Sequence, residues 1–454
     1  MIEKTKKFTA TRNPCKLCTP FGASIVFKGI KGAMTLLHGS QGCATYIRRY
    51  CISHFREPID IASSNFSETT AIFGGKDNLF KALKNINQQY HPDVIGVATT
   101  CLSETIGDDI KGFLKEFISF NENKIYPPLV HVSTPSYSGT HMDGFHSACL
   151  SLVKTFCKKK EQNVSYSKIG IFINFISSED IRMLKKVFSL YGLDPVIIPD
   201  YSETLDGGVW ESFQKISKGG TSIKDIESLS NSLATFEFGY SNKYIDSAGK
   251  YLANMFKIPL YQIEVPIGVN GCDKFFNMLE VVSGREMPDE YKKMRERLID
   301  SYSDAHKYIF NKKAIVYGEE DLVEAISSFL LEIGMTPIIC LTGAKSIWLK
   351  EKLSMLGIKY EKNIEILTSS DFGKMEDSIV KINSDIMIGS SKGYTLSRKL
   401  KIPLVRVGFP IHDRIGAQRI KHILYEGTQE LFDRIVNAII EYKQSSNKFG
   451  YTYM

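Results

Sequence analysis

Three of the nine cysteines in this 454-residue chain stand among glycine or other small residues: Cys18 in "CTPFGA", Cys43 in "GSQGCAT" and Cys101 in "ATTCLSET". Small neighbours let backbone amides come close to a bulky anionic group. Thiolates that donate to iron, with amide N–H groups aimed at sulfide, are what an iron–sulfur cluster requires. The same residues also read as three packed cysteines in small-residue strand ends. Residue types alone leave both readings open. Cys15 and Cys18 form a C-x-x-C without the second pair that a structural zinc site would want. It also lies in an amino-terminal arm, not after the first strand of a thioredoxin-like fold.

His38 and His54 flank this region, and a histidine at a strand end is more often hydrogen-bonded structure than a ligand. Arg48, Arg49 and Arg56 could offset the charge of a thiolate-bound group or serve as surface charges. The hydroxyl run "ASSNFSETT" (62–70) is expected to cap the helix after it. Other chemistries lack their signatures. The chain has no G-x-x-x-x-G-K-[ST], no G-x-G-x-x-G after a strand, no H-E-x-x-H and no G-x-S-x-G.

These thiols need elements to place them. From residue 168 onward, short apolar runs alternate with amphipathic ones. Strands are predicted at "KIGIFINF" (168–175), "DPVIIPD" (194–200), "LATFEFGY" (233–240), "PLYQIEV" (259–265), "KAIVYG" (313–318), "TPIICLTG" (336–343), "IEILTS" (364–369), "DIMIGSS" (385–391) and "PLVRVGF" (403–409). Helices such as "SEDIRMLKKVFSLYG" and "EDLVEAISSFLLEIG" intervene. This is the grammar of parallel sheets, so the fold class is α/β with several doubly wound, Rossmann-like domains. The first third follows it with more loop. "AMTLLHGSQGC" reads as strand then loop, "KDNLFKALKNINQQY" (76–90) as a helix, and "DVIGVATTC" (93–101) as a strand with a helix from about Glu104. Polar stretches at 158–167 and near 311 read as linkers, giving domains over 1–165, 166–311 and 312–454. In such sheets ligands gather at the carboxyl ends of strands. Cys43 lies just beyond one such end and Cys101 terminates another.

The bulk numbers are those of a globular protein: 43% hydrophobic, 24% charged, net charge +7 from 57 basic and 50 acidic residues. The longest like-charge block is "KKK" at 158–160, so no nucleic-acid arm is expected. No apolar run approaches the about 18 residues of a membrane helix, so no membrane partner is expected. The amino terminus lacks a signal-peptide core, which makes the cytoplasm the default and reduced thiols the expectation.

At this point the motifs converge. "LLHGSQGCATYIRRYCISHFREPIDIASSNFSETTAIFGG", "VATTCLSETIGDDI" (97–110), "TPSYSGTHMDGF" (134–145) and "VRVGFPIHDRIGAQRI" (405–420) closely resemble the nitrogenase component 1 superfamily, on its β-type side. The resemblance covers essentially the whole chain in order. It implies three α/β domains of the nitrogenase component 1 type and αβ pairs doubled to α2β2. It also implies metal clusters near domain and subunit junctions. Cys18, Cys43 and Cys101 match the three β-chain cysteines that hold the P-cluster, and Ser136 matches a serine close to the oxidised P-cluster. Gly39 and Gly42 would then let the Cys43 loop fold round the cluster without Cβ clashes, with "ATYIRRY" covering it. The carboxyl-terminal "GFPIHDRIGAQRI…YEGTQELFDRIVNAI" resembles the NifN-like scaffold branch, which pairs with a NifE-like α-type chain. That resemblance implies an interfacial iron–sulfur cluster, 4Fe–4S or P-cluster-like 8Fe–7S. It further implies an iron–molybdenum cofactor precursor in the complex and a transient, ATP-dependent iron protein as electron donor. On sequence the scaffold comes first, the catalytic β subunit second, and a nitrogenase-like reductase third.

Overall fold

The computed structural model describes residues 15–121, 125–158, 167–379 and 383–448. Its central strands are buried on both faces, as those of parallel sheets are. Its strands are the apolar runs read above together with two short ones, Ile61–Ser63 and Leu129–Val132, that the sequence did not announce. They are β1 (Ala33–His38), β2 (Ile61–Ser63), β3 (Val94–Thr99), β4 (Leu129–Val132), β5 (Lys168–Phe172), β6 (Asp194–Ile198), β7 (Ala234–Phe238), β8 (Leu260–Ile263), β9 (Lys313–Tyr317), β10 (Thr336–Leu341), β11 (Glu365–Leu367), β12 (Ile386–Gly389) and β13 (Leu404–Arg406). They form three sheets, ordered β2-β1-β3-β4, β6-β5-β7-β8 and β11-β10-β9-β12-β13. Among the described residues every strand pairing is parallel. Each sheet starts in an interior strand, grows to one side, then reverses to the other. The reversal leaves a crevice at the strand carboxyl ends, where such sheets take ligands. In the first sheet it lies between β1 and β3, whose last residues His38 and Thr99 pair directly.

Two helices outside the strand–helix grammar fix the amino-terminal arm. Thr19–Lys28 is buried along all but its last residue, and it packs on His141–Phe156. The crossing is glycine on backbone. A Cβ on Gly22 would fall 1.7 Å from the His141 carbonyl oxygen, and one on Gly144 would fall 1.9 Å from that of Thr19. At the same end His141 N–H donates to the Leu17 carbonyl (3.1 Å), while Leu17 N–H donates to His141 Nδ1 (3.4 Å). His141 Nε2 then lies 3.4 Å from Glu319 Oε1, beyond the end of β9.

The sheets are joined through buried carboxylates. Asp321, on helix Glu320–Glu332, reaches the crevice between β5 and β7. It accepts from Asn174 Nδ2 (2.5 Å), Tyr240 N–H (2.7 Å) and Ser241 N–H (3.1 Å). Asp180, fully buried, accepts from His422 N–H (2.8 Å) ahead of the long helix Leu424–Ser446.

Four expectations need comment. The stretch "GSQGC" is not a loop ending in cysteine, because helix Gln41–Phe55 begins inside it and carries Cys43 on its first turn. The helix after β3 starts at Cys101, not Glu104. Residue 311 lies in a tight turn between helix Asp289–Ile309 and β9, with Asn311 at φ 58°. Of the polar stretch 158–167, residues 159–166 lie outside the described residues. Among the described residues no helix is long and apolar enough to cross a membrane.

The crossing makes a prediction. Gly22→Ala must push two helix backbones apart and should cost about 3 kcal/mol in chemical denaturation. Gly42→Ala, whose Cβ meets nothing within 4 Å, should be neutral or stabilise by at most about 1 kcal/mol. Equal effects of the two variants would disprove the crossing as the constraint.

Candidate functional site

Each of the three cysteines read from sequence stands at the amino-terminal end of a helix. Cys18 is the N-cap of Thr19–Lys28, Cys43 is the third residue of Gln41–Phe55, and Cys101 is the first of Cys101–Ile106. A helix amino terminus presents unpaired N–H groups and the positive end of the macrodipole, both of which favour a thiolate. The latter two helices follow β1 and β3, so Cys43 and Cys101 flank the crevice of the first sheet.

The connections that aim them are tightly held. Gly39 leaves β1 with its N–H on Ser64 Oγ (2.9 Å) and its carbonyl accepting from Ser63 Oγ (2.9 Å) and Phe66 N–H (3.0 Å). A Cβ on Gly39 would lie 2.0 Å from Thr100 Oγ1, so glycine is required there by close approach to the β3 exit. Thr100 ties the two exits together. Its hydroxyl donates to the His38 carbonyl (3.1 Å) and its N–H to Ser103 Oγ (2.9 Å). Gly42 meets no such neighbour.

Cys18 arrives from the other side on the helix crossing. Pro20 follows Thr19 in the first turn, and Thr19 N–H donates to Ser136 Oγ (3.1 Å). Ser136 therefore stands beside Cys18, capping its helix. Burial pushes the Cys18 thiol up to about 11, the Phe21 amide opposes this, and the Cys43 and Cys101 sulfurs add to it by like-charge repulsion. The Cys43 thiol is raised by burial, partly offset by the Ser40 hydroxyl, and again by Cys101. Cys43 and Cys101 are thus charged neighbours of Cys18, and Cys101 of Cys43. Holding Cys18 ionised at pH 7 without a partner would cost about 5 kcal/mol. A bound cation removes that cost.

Among the described residues no three His, Cys, Asp or Glu side chains converge closely enough to hold a single metal ion. A sulfur-only donor set on helix amino termini fits an iron–sulfur cluster, with Cys18, Cys43 and Cys101 as the donors this chain would offer.

The flanking residues take structural places. His38 is fully buried, with Nε2 3.0 Å from Asp108 Oδ2. Burial lowers its pKa, although Asp108 opposes this. Asp108 also accepts from the Gly75 N–H at 3.1 Å. His54 accepts from Ile411 N–H (2.9 Å), and burial pushes it down to about 3, helped by His422, Arg56 and His412. Arg48 donates to the Ile59 carbonyl (3.0 Å) and pairs with Asp60. Arg56 caps the far end of its helix, about 20 Å from Cys43. Neither of these arginines offsets charge at the thiols. Cys15 is drawn away to the third sheet, its sulfur enclosed and held by the Gly318 and Gly343 amides. Cys51 is buried in the core. Ser67 caps helix Glu68–Phe73, within the hydroxyl run expected to do so. Thr100 escaped sequence reasoning, although a threonine between a strand and a Cys-x-Ser turn is an N-cap signature.

Comparison with known proteins agrees with this geometry. Residues 18–440 match the family described as nitrogenase component 1 type oxidoreductase. The chain is 35% identical over 437 residues to the nitrogenase molybdenum-iron protein beta chain of Methanothermobacter marburgensis, covering 94% of each. It is 33% identical over 449 residues to the nitrogenase vanadium-iron protein beta chain of Trichormus variabilis, covering 95% of each. A solved structure titled "Nitrogenase Cp1 at pH 6.5" superposes with a TM-score of 0.95 at 30% identity, covering 100% of this chain and 98% of that one. On the extent of that family match and on these identities, the chain belongs to the nitrogenase component 1 type oxidoreductase family.

Proposed function

We propose that the chain is the β-type subunit of a nitrogenase-type reductase. In this reading it holds an iron–sulfur cluster jointly with an α-type partner and passes electrons toward that partner. The carrying observation is the set of three thiols on three helix amino termini around one crevice. A scaffold of the NifN-like branch can retain only the "GSQGC" cysteine, whereas this chain offers all three. The relatives described above, each named as a nitrogenase beta chain, support the same order.

When bound, the cluster supplies electron storage and release. Cys18, Cys43 and Cys101 would provide its thiolates, and the three helix termini would offset their charge. Ser136, hydrogen-bonded to the amide next to Cys18, has a hydroxyl near enough to respond to changes there. Thr100 and Gly39 fix the separation between two of the ligands. The partner reading has its own support. Ile72 and Phe73 are 75% and 83% exposed on a helix that packs against Cys101–Ile106, a placement suited to a covering chain. With no P-loop in the sequence, ATP-driven electron delivery falls to an iron protein that docks transiently. Domains over 1–165, 166–311 and 312–454 and an α2β2 assembly complete the proposal.

The second reading is the NifN-like scaffold on which an iron–molybdenum cofactor precursor matures, paired with a NifE-like chain. The carboxyl-terminal "GFPIHDRIGAQRI" favours it.

Three measurements test these readings. The anaerobically purified complex should contain iron and acid-labile sulfide. Cys43→Ala should lose most of the interfacial iron and Cys18→Ala a large part; full iron in Cys43→Ala would refute the assignment. Cys15→Ser and Cys51→Ser should leave iron content unchanged within error, since Cys15 packs against the core of the third sheet and Cys51 is buried in the core. Finally, the complex with its native partner, iron protein, ATP and reductant should reduce a small substrate such as acetylene or dinitrogen. No turnover, together with maturation of cofactor-free nitrogenase when precursor, metal and homocitrate are supplied, would make the scaffold the correct reading.

A further inference from the structure

A cavity of about 30 Å³ lies where the carboxyl ends of the second and third sheets meet the far end of helix Gln41–Phe55. Its walls are apolar at Val265, Leu322 and Phe409 and polar at His54, Ser177 and His422. The polar groups decide what can occupy it. We propose that this cavity is a binding site for one or two buried waters, held between the His54 and His422 rings, which tie the helix that carries Cys43 to the other two sheets.

The observation behind it is an orphaned atom. His422 is 7% exposed, and its Nε2 is buried with no hydrogen-bond partner among the described residues. The other ring nitrogen is taken, since Nδ1 lies 3.1 Å from Asp180 Oδ2. A carboxylate only accepts, so Nδ1 carries the proton and the neutral ring offers a lone pair at Nε2. Asp180 is itself saturated, because its oxygens also accept from the His422 N–H (2.8 Å), the Ser177 N–H (3.2 Å) and the Ile423 N–H (3.4 Å). Leaving a buried acceptor without a donor is costly, and in folded proteins such groups are met by protein or by water.

His54 supplies the complement. Ile411 N–H donates to its Nδ1 at 2.9 Å, so that nitrogen is the acceptor and the proton of the neutral ring sits on Nε2. Burial keeps the ring neutral, with its pKa pushed down to about 3. Phe55 and Phe409 hold the ring in place, each with its centre 4.6 Å away. The Ser177 hydroxyl accepts from the Asp180 N–H (2.9 Å) and still has its own hydrogen to give. The cavity thus offers donors and an acceptor together. Water satisfies both; an apolar guest would leave Nε2 unmet, and a single ion could match only one of the two. The volume agrees, because a water needs about 10–15 Å³ of such space and roughly two to four polar partners. The bridge would span three parts of the chain: helix Gln41–Phe55 after β1, helix Ser178–Leu190 after β5, and the approach to Leu424–Ser446, which packs on β13.

The test is a crystal structure of the anaerobically purified complex that shows ordered solvent, with a second crystal soaked in xenon. Density for a water about 2.7–3.2 Å from His422 Nε2 is expected. No xenon should enter, since xenon fills dry apolar cavities. A His422→Asn variant keeps a side-chain amide able to donate to Asp180 but lacks Nε2, and its crystal should lose that water or show it displaced. If the variant fails to fold, the two crystals of the unaltered complex decide alone. An empty or xenon-filled cavity, a protein group bonded to Nε2, or a water unmoved in His422→Asn would each overturn the proposal.

Discussion

The placement of Cys18 at the thiol site depends on two helices that touch backbone to backbone. Gly22 and Gly144 each face a carbonyl oxygen of the other helix, at a separation where no side chain fits. Such a contact cannot slide, because any shift along either axis drives a neighbouring side chain into backbone. The first turn of the buried helix is therefore held close against His141–Phe156. Cys18 is the residue before that turn. The link through Leu17 and His141 extends the constraint to Glu319 in the third sheet, so one crossing orients the arm toward two sheets at once.

The electrostatics of the site are balanced on the same scale. Burial, with like-charge repulsion added, works against ionisation of the Cys18 and Cys43 thiols, while their helix amino termini work for it. Each terminus contributes typically less than about 1 kcal/mol, up to about 2 in a partly buried setting. Helix ends alone thus do not overcome the several kcal/mol opposing ionisation of Cys18. Cys18 by itself therefore rests as a thiol, and a cluster bound there would have to displace its proton. The helix termini lower the cost of that exchange and decide where the charge sits.

Much of this was legible in the sequence. The nine strands read from residue 168 onward all appear, because parallel strands buried on both faces announce themselves as apolar runs bounded by Gly and Pro. The three thiols each fall at a helix amino terminus, and Ser136, named by resemblance, accepts from the amide next to Cys18. What escaped was of two kinds. Helix Thr19–Lys28 is apolar all round, so it lacks the one-sided periodicity that marks a surface helix. The helical starts at Gln41 and Cys101 were hidden by glycine, serine and threonine, which read as loop yet here form caps and first turns. The role of Gly39 could be sensed but its reason could not. Its clash is with Thr100, a residue sixty positions away in sequence that only the parallel pairing of β1 with β3 brings alongside.

The carboxylate of Asp321 gives the middle sheet an unusual tenant. The crevice between β5 and β7 is where a fold of this kind would admit a guest molecule, and a side chain from the neighbouring sheet fills it with three hydrogen bonds. The middle sheet therefore treats the third as its own permanently bound ligand. Pulling them apart would strand a buried acid and two backbone amides at once, a cost that couples the opening of one sheet to that of the other.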